Sequence, residues 1–89
     1  MATLAMFDGI IIRMNPEKNT RHHKPHIHVF CGDDECVLSV PDGEVLEGSL
    51  TAKKLRNVQT FIDMRTEELM MNWNLCMQGK NVVWIDPIR

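Results

Sequence analysis

The sequence predicts an α+β domain in which a small antiparallel β-sheet of four or five strands packs against helices on one face. Two observations lead to this fold class. Short β-branched or alternating segments separated by turn residues occupy the first half of the chain, and an amphipathic helical pattern occupies residues 51–78. Because the chain has 89 residues, we expect a single domain, residues 1–89, with one modest core.

Four strands are predicted before the helical region, at residues 10–14, 26–31, 35–40 and 44–48. Each is rich in β-branched or alternating apolar residues and is bounded by Gly, Pro, Asn or Asp, which favour turns. Residues 2–8 are interpreted as a lead-in without a strand. Residues 82–85 are predicted to form a closing strand after the helices.

The amphipathic region predicts either one long helix or two shorter helices that break between Asp63 and Thr66. Thr51 is suited to cap the start of the first helix, because its hydroxyl can accept a hydrogen bond from a free backbone N–H. Gly79 is expected to end the helical region, since glycine tolerates the left-handed conformation that follows many helices. Both helical arrangements remain open at this point.

Methionine is abundant in the sequence, with seven residues. Within the helical region these are Met64, Met70, Met71 and Met77, and they accompany Trp73. Core packing is the first interpretation of this set. An adaptable apolar surface for a protein partner is the alternative.

The four histidines all lie between residues 22 and 28, and this segment is the strongest functional candidate. Because strand side chains alternate between two faces, His26 and His28 should share one face and Ile27 and Val29 the other. The apolar face should meet the helices. We therefore predict that His26 and His28 point outwards, near Arg13.

Two imidazoles on one strand face could hold Zn²⁺ or another divalent ion if a further ligand were added. His22 or His23 could supply that ligand, so the predicted metal site comprises His26 and His28 with a loop histidine. A plain pair of solvated or hydrogen-bonded strand histidines is the simpler interpretation. Apart from this ion, the sequence predicts no cofactor.

A cationic patch beside the histidines comprises Arg13, Arg21 and Lys24. Such a patch could bind an anion or a nucleic-acid phosphate. Arg21 would then hold the phosphate. His26 or His28 would transfer a proton near neutral pH, assisted by His22. The alternative is a solvated polar loop.

Net charge and cysteine content limit the classes of protein to which the chain could belong. A formal net charge of −2 excludes a global basic field for nucleic acid, so RNA contact would depend on the local patch. An odd number of cysteines favours reduced thiols, and residues 1–14 resemble neither a signal peptide nor a membrane span. We expect a cytoplasmic protein with no membrane association.

Five segments in order resemble a small prokaryotic family of unknown function, number four-one-six-zero in the domain-of-unknown-function series. They are residues 7–14 (FDGIIIRM), 22–29 (HHKPHIHV), 43–50 (GEVLEGSL), 68–73 (ELMMNW) and 79–80 (GK). Members are often encoded beside another small protein, and such pairs are regarded as candidate toxin–antitoxin modules. The chain departs from the family at Lys24, where a second proline is usual.

The resemblance implies a bacterial component of a toxin–antitoxin-type pair with a small protein partner encoded nearby. The residues suggest action through the histidine-rich segment, with RNA as an open target. The alternatives are a non-catalytic protein-binding module, antitoxin or regulatory, and a His-x-His metal-binding domain. Homo-oligomer formation is left open.

Overall fold

A computed structural model describes residues 2–15 and 24–86, and it confirms the α+β fold. The strands are β1 (Ala2–Phe7), β2 (Ile10–Met14), β3 (His26–Cys31), β4 (Asp34–Ser39) and β5 (Val45–Gly48). The helices are α1 (Ala52–Met64) and α2 (Thr66–Met77). The sheet order is β1-β2-β3-β4-β5 with every neighbouring pair antiparallel, so the strands form a meander. Neither described helix is long and apolar enough to cross a membrane.

The first strand corrects the prediction that residues 2–8 are only a lead-in. Phe7 pairs with Ile10, and the turn between them has positive φ at Asp8 (51°) and Gly9 (74°). These angles fit the type I′ turn for which Asp-Gly is a preferred sequence. Lys54 ties the turn to α1, and its hydrogen bond and charge hold the pKa of the Asp8 carboxyl below its ordinary value.

The core confirms the predicted division of the strands into two faces. Ile12, Val29 and Cys36 lie side by side on adjacent strands, and all three are buried. The same buried cluster contains Val58, Phe61 and Ile62 of α1 and Leu69 and Cys76 of α2. The helices therefore cover the face that carries Ile27 and Val29, as predicted.

The helical region contains two helices, which settles the alternative left open by the sequence. Arg65 has φ −121° and ψ 25°, which interrupts the helical geometry between them. The backbone N–H of Lys54 donates to Thr51 Oγ1 at 3.4 Å, so the predicted cap is present. Gly79 follows α2 with φ 73°, as expected for a residue that ends a helix.

The predicted closing strand at residues 82–85 is wrong, because this segment does not pair with the sheet as a strand. Ile85 N–H donates to the Leu4 carbonyl at 2.8 Å. The pairing of β1 shifts between Thr3 and Ala5, so a bulge interrupts regular geometry at this point of the edge. Val83 N–H donates instead to the side-chain Oδ1 of Asn72 at 2.6 Å.

Candidate functional site

The sheet face opposite the core carries the predicted histidine site. Cross-strand register aligns one row over all five strands: Thr3, Arg13, His28, Val37 and Glu47. His26 lies on the same face, opposite Ser39. The sequence therefore correctly placed Arg13, His26 and His28 on one face.

His26 is not exposed, which corrects the prediction that its ring points freely outwards. Only 1% of the residue is accessible to solvent, and its ring centroid lies 5.2 Å from that of Trp73 in α2. His26 is the first residue of β3, where the indole of Trp73 reaches the end of the sheet. Its Nδ1 donates to the Lys24 carbonyl at 2.8 Å. In the neutral ring this hydrogen bond leaves Nε2 as the basic nitrogen.

His28 stands beside His26 but is only partly exposed. The two ring centroids are 5.4 Å apart with an interplanar angle of 64°. Both ring nitrogens of His28 are shielded from solvent. A substrate phosphate would need a local rearrangement before it could reach either nitrogen.

The two imidazoles are close enough to share one metal ion. Two rings bound tetrahedrally to zinc would have centroids about 5 Å apart, given Zn–N bonds of about 2.0–2.1 Å. Within residues 2–15 and 24–86, however, no group of three His, Cys, Asp or Glu residues could hold a metal ion. The candidate third ligands, His22 and His23, lie outside the described residues. Metal binding by His26 and His28 therefore stays a prediction.

The predicted cationic patch is partly balanced by local contacts. Lys24 Nζ lies 3.6 Å from an Asp42 carboxylate oxygen and 3.5 Å from one of Glu44. A hydrogen bond from its own backbone amide, supported by the charge of Lys24, lowers the pKa of the Asp42 carboxyl. The Arg13 guanidinium carbon lies 5.6 Å from the centroid of the Phe30 ring, within cation–π range. Arg21 lies outside the described residues.

The three cysteines lie largely within the fold. Cys36 and Cys76 are buried and Cys31 is half-buried, and none of the three forms a disulfide with another described cysteine. Burial raises the pKa of the Cys36 thiol, which keeps it protonated near neutral pH.

A second candidate surface was only partly anticipated from the sequence. Four apolar residues that are about half exposed define what we call the C-terminal strip: Met64 (52%), Met71 (47%), Val83 (51%) and Trp84 (52%). The sequence predicts the methionines as one alternative for a partner surface. Val83 and Trp84 had been assigned to a strand, and an aromatic residue in a terminal segment was the signal that could have added them.

Hydrogen bonds position the terminal segment alongside α2. Asn72 Oδ1 accepts from Val83 N–H, and Arg65 Nε donates to the Asp86 carbonyl at 3.2 Å. Val83 is thus tied to residue 72 and Asp86 to residue 65, which is the opposite order along the chain. The segment therefore runs antiparallel to α2, with Val83 beside the turn that carries Met71 and Asp86 beside the turn that follows Met64.

The model of a family described as a domain of unknown function, DUF4160, matches residues 9–74. The chain belongs to this family. The residues that match the DUF4160 model run from the β1–β2 turn into α2, and they include His26, His28 and Trp73. Val83 and Trp84 lie beyond the matched range. Neither curated proteins nor solved structures gave a significant match.

Proposed function

We propose that this DUF4160 protein acts by binding a protein partner, as the non-catalytic member of a bacterial pair of toxin–antitoxin type. The observation that carries the proposal is the half-exposed indole of Trp84 in the C-terminal strip. Tryptophan is enriched among the residues that dominate binding energy at protein interfaces. The family resemblance supplies the expected partner, a small protein encoded nearby.

The strip is suited to binding because its backbone is held in place. Val83, Ile85 and Asp86 each use a backbone group in a hydrogen bond to α2, β1 or Arg65. A segment that is already ordered loses less conformational entropy when a partner binds. The methionine side chains can still adapt to the partner's shape, since the thioether chain is flexible and polarisable.

The contacts of His26 and His28 are as compatible with a structural role for the two rings as with a catalytic one. His26 donates to a carbonyl and packs against Trp73, and the nitrogens of His28 are shielded. These contacts fix the rings within the fold and limit their access to a substrate. The C-terminal strip, by contrast, has four side chains that are about half exposed to solvent.

Trp84→Ala is expected to weaken binding of the product of the neighbouring small gene by about 30-fold or more, because loss of an interface tryptophan costs about 2 kcal/mol or more. Isothermal titration calorimetry of the two purified proteins measures this change. Val45→Ala is the matched control, since Val45 is an apolar residue on β5 with 39% exposure, outside the strip. Equal affinity of Trp84→Ala and wild type, or no binding by wild type, would contradict the proposal.

A second candidate is catalysis on RNA, and the close pairing of His26 with His28 on the face of Arg13 favours it. If it holds, expression of the chain alone should inhibit growth, and the double substitution His26→Ala/His28→Ala should relieve the inhibition. Circular dichroism must show that the double variant is folded, because His26 is buried. A folded double variant that remains as toxic as wild type would exclude this function.

A further inference from the structure

We infer that the partner of the C-terminal strip presents an apolar surface rimmed by lysine or arginine side chains. This inference rests on the proposed function and specifies the chemistry of the protein that occupies the strip. It depends on the charges that surround the apolar residues.

Acidic side chains predominate around the strip. Between residues 63 and 86 the acidic residues are Asp63, Glu67, Glu68 and Asp86, and the basic residues are Arg65 and Lys80. All four acidic residues are exposed. Arg65 Nε donates to the Asp86 carbonyl and lies 3.8 Å from a Glu68 carboxylate oxygen, so the charges of Arg65 and Glu68 partly offset each other and Asp63, Glu67 and Asp86 dominate the rim. Lys80 follows Gly79, beyond the far end of α2.

The acidic groups flank the apolar residues along both elements of the strip. Glu67 precedes Met71 by four residues, so the two side chains lie one above the other on α2. Asp63 precedes Met64, and Asp86 lies two residues after Trp84. An apolar centre with a charged rim is the usual anatomy of a protein–protein interface. The rim here is negative, which favours a partner with a positive rim.

The same charges disfavour the other occupants of this surface. A second copy of the chain that docked strip to strip would bring two acidic rims together, and like charges that face each other across an interface oppose association. A nucleic acid would present phosphates to these carboxylates and be repelled. A protein surface with an apolar centre and a cationic rim can bury the apolar strip and also pair with its acidic rim.

Two synthetic amphipathic helical peptides test the inference directly. Both carry the same leucine face, and one has lysine at every polar position where the other has glutamate. We expect the lysine peptide to bind the full-length protein at least about tenfold more tightly than the glutamate peptide, a difference of about 1.4 kcal/mol. Its affinity should fall as salt is raised, because the rim charges are exposed. Tryptophan fluorescence or calorimetry measures the binding.

Two matched double variants distinguish an effect of the acidic rim on peptide binding from an effect of the protein's net charge. Glu67→Gln/Asp86→Asn removes two negative charges from the rim and should weaken binding of the lysine peptide about fivefold, because each exposed charge contributes only modestly. Asp33→Asn/Asp34→Asn makes the same change in net charge at the turn after β3 and the first residue of β4, and it should leave binding close to wild type. Equal effects of the two pairs, or a lysine peptide that still binds Trp84→Ala fully, would overturn the inference.

The outcomes also distinguish this inference from the proposed function. If both peptides bind equally and Trp84→Ala abolishes both, the strip is a binding site but its partner is not selected by charge. If neither peptide binds, the basic-rimmed partner is rejected. Calorimetric binding of the neighbouring gene product then tests the proposed function independently.

Discussion

Gly48→Ala is expected to lower the free energy of unfolding by about 2–4 kcal/mol, because the new methyl group would meet both a strained backbone and a steric clash. Gly48 has φ +78°, a conformation that residues with a Cβ rarely adopt. A Cβ at this position would overlap with the Glu35 carbonyl oxygen and lie 3.1 Å from Cys36 Cα. That carbonyl also accepts from Ser49 N–H, so the backbone has little room to move away.

Gly79→Ala is the control for the contribution of positive φ alone. Gly79 has φ +73°, and a Cβ there would have no atom within 4 Å. Its substitution should cost only about 1 kcal/mol, the usual penalty for a left-handed residue with a side chain. Urea unfolding of both variants gives the comparison. Equal costs would show that β5 shifts to relieve the predicted clash at Gly48.

Local sequence signals were sufficient for most of the strands and for the caps of the helical region. The β-branched run at β2 and the alternation at β3 reflect burial of one face, which a period of two records directly. The Asp8-Gly9 pair is an equally local signal for a hairpin, and it points to β1, which the composition of residues 2–8 does not. The helix break at Arg65 depends on backbone geometry that an almost continuous amphipathic pattern does not record.

The surroundings of the candidate site depend on contacts between distant parts of the chain. Strand alternation gave the face of His26 but not its burial, because the covering ring of Trp73 lies in α2, 47 positions later in the sequence. The sequence places Lys24 in a cationic patch, whereas the fold brings it to Asp42 and Glu44. The residue pattern of one segment does not indicate which side chains from distant segments will pack against it.

The terminal segment shows how a side chain can replace a strand ladder. Residues 82–85 have the composition of a strand, and Ile85 does donate one hydrogen bond to β1. The bulge in β1 and the buried amide of Asn72 take the place of the regular pairing that the pattern predicted. As a result, Trp84 belongs to a surface that α2 helps to position.

Asn72→Ala is expected to lower the free energy of unfolding by about 1–3 kcal/mol, because it removes the hydrogen-bond partner of a backbone donor. Asn72 is fully buried. Its Oδ1 accepts from Val83 N–H at 2.6 Å, and its Nδ2 donates to the Glu68 carbonyl at 3.0 Å. A loss of 1 kcal/mol lowers the melting temperature of a domain of this size by about 4–8 °C, which thermal unfolding resolves readily.

The position of the terminal segment should change together with stability. Without the amide of Asn72, the Val83 N–H should exchange with deuterium faster than in wild type, and Trp84 fluorescence should shift towards that of solvated indole. In a chain that ends at Asn81, Asn72→Ala should lower the free energy of unfolding by less, since the Val83 N–H is already absent. Unchanged exchange at Val83, or an undiminished cost in the shortened chain, would mean that Asn72 stabilises α2 itself rather than the strip that we propose binds the partner.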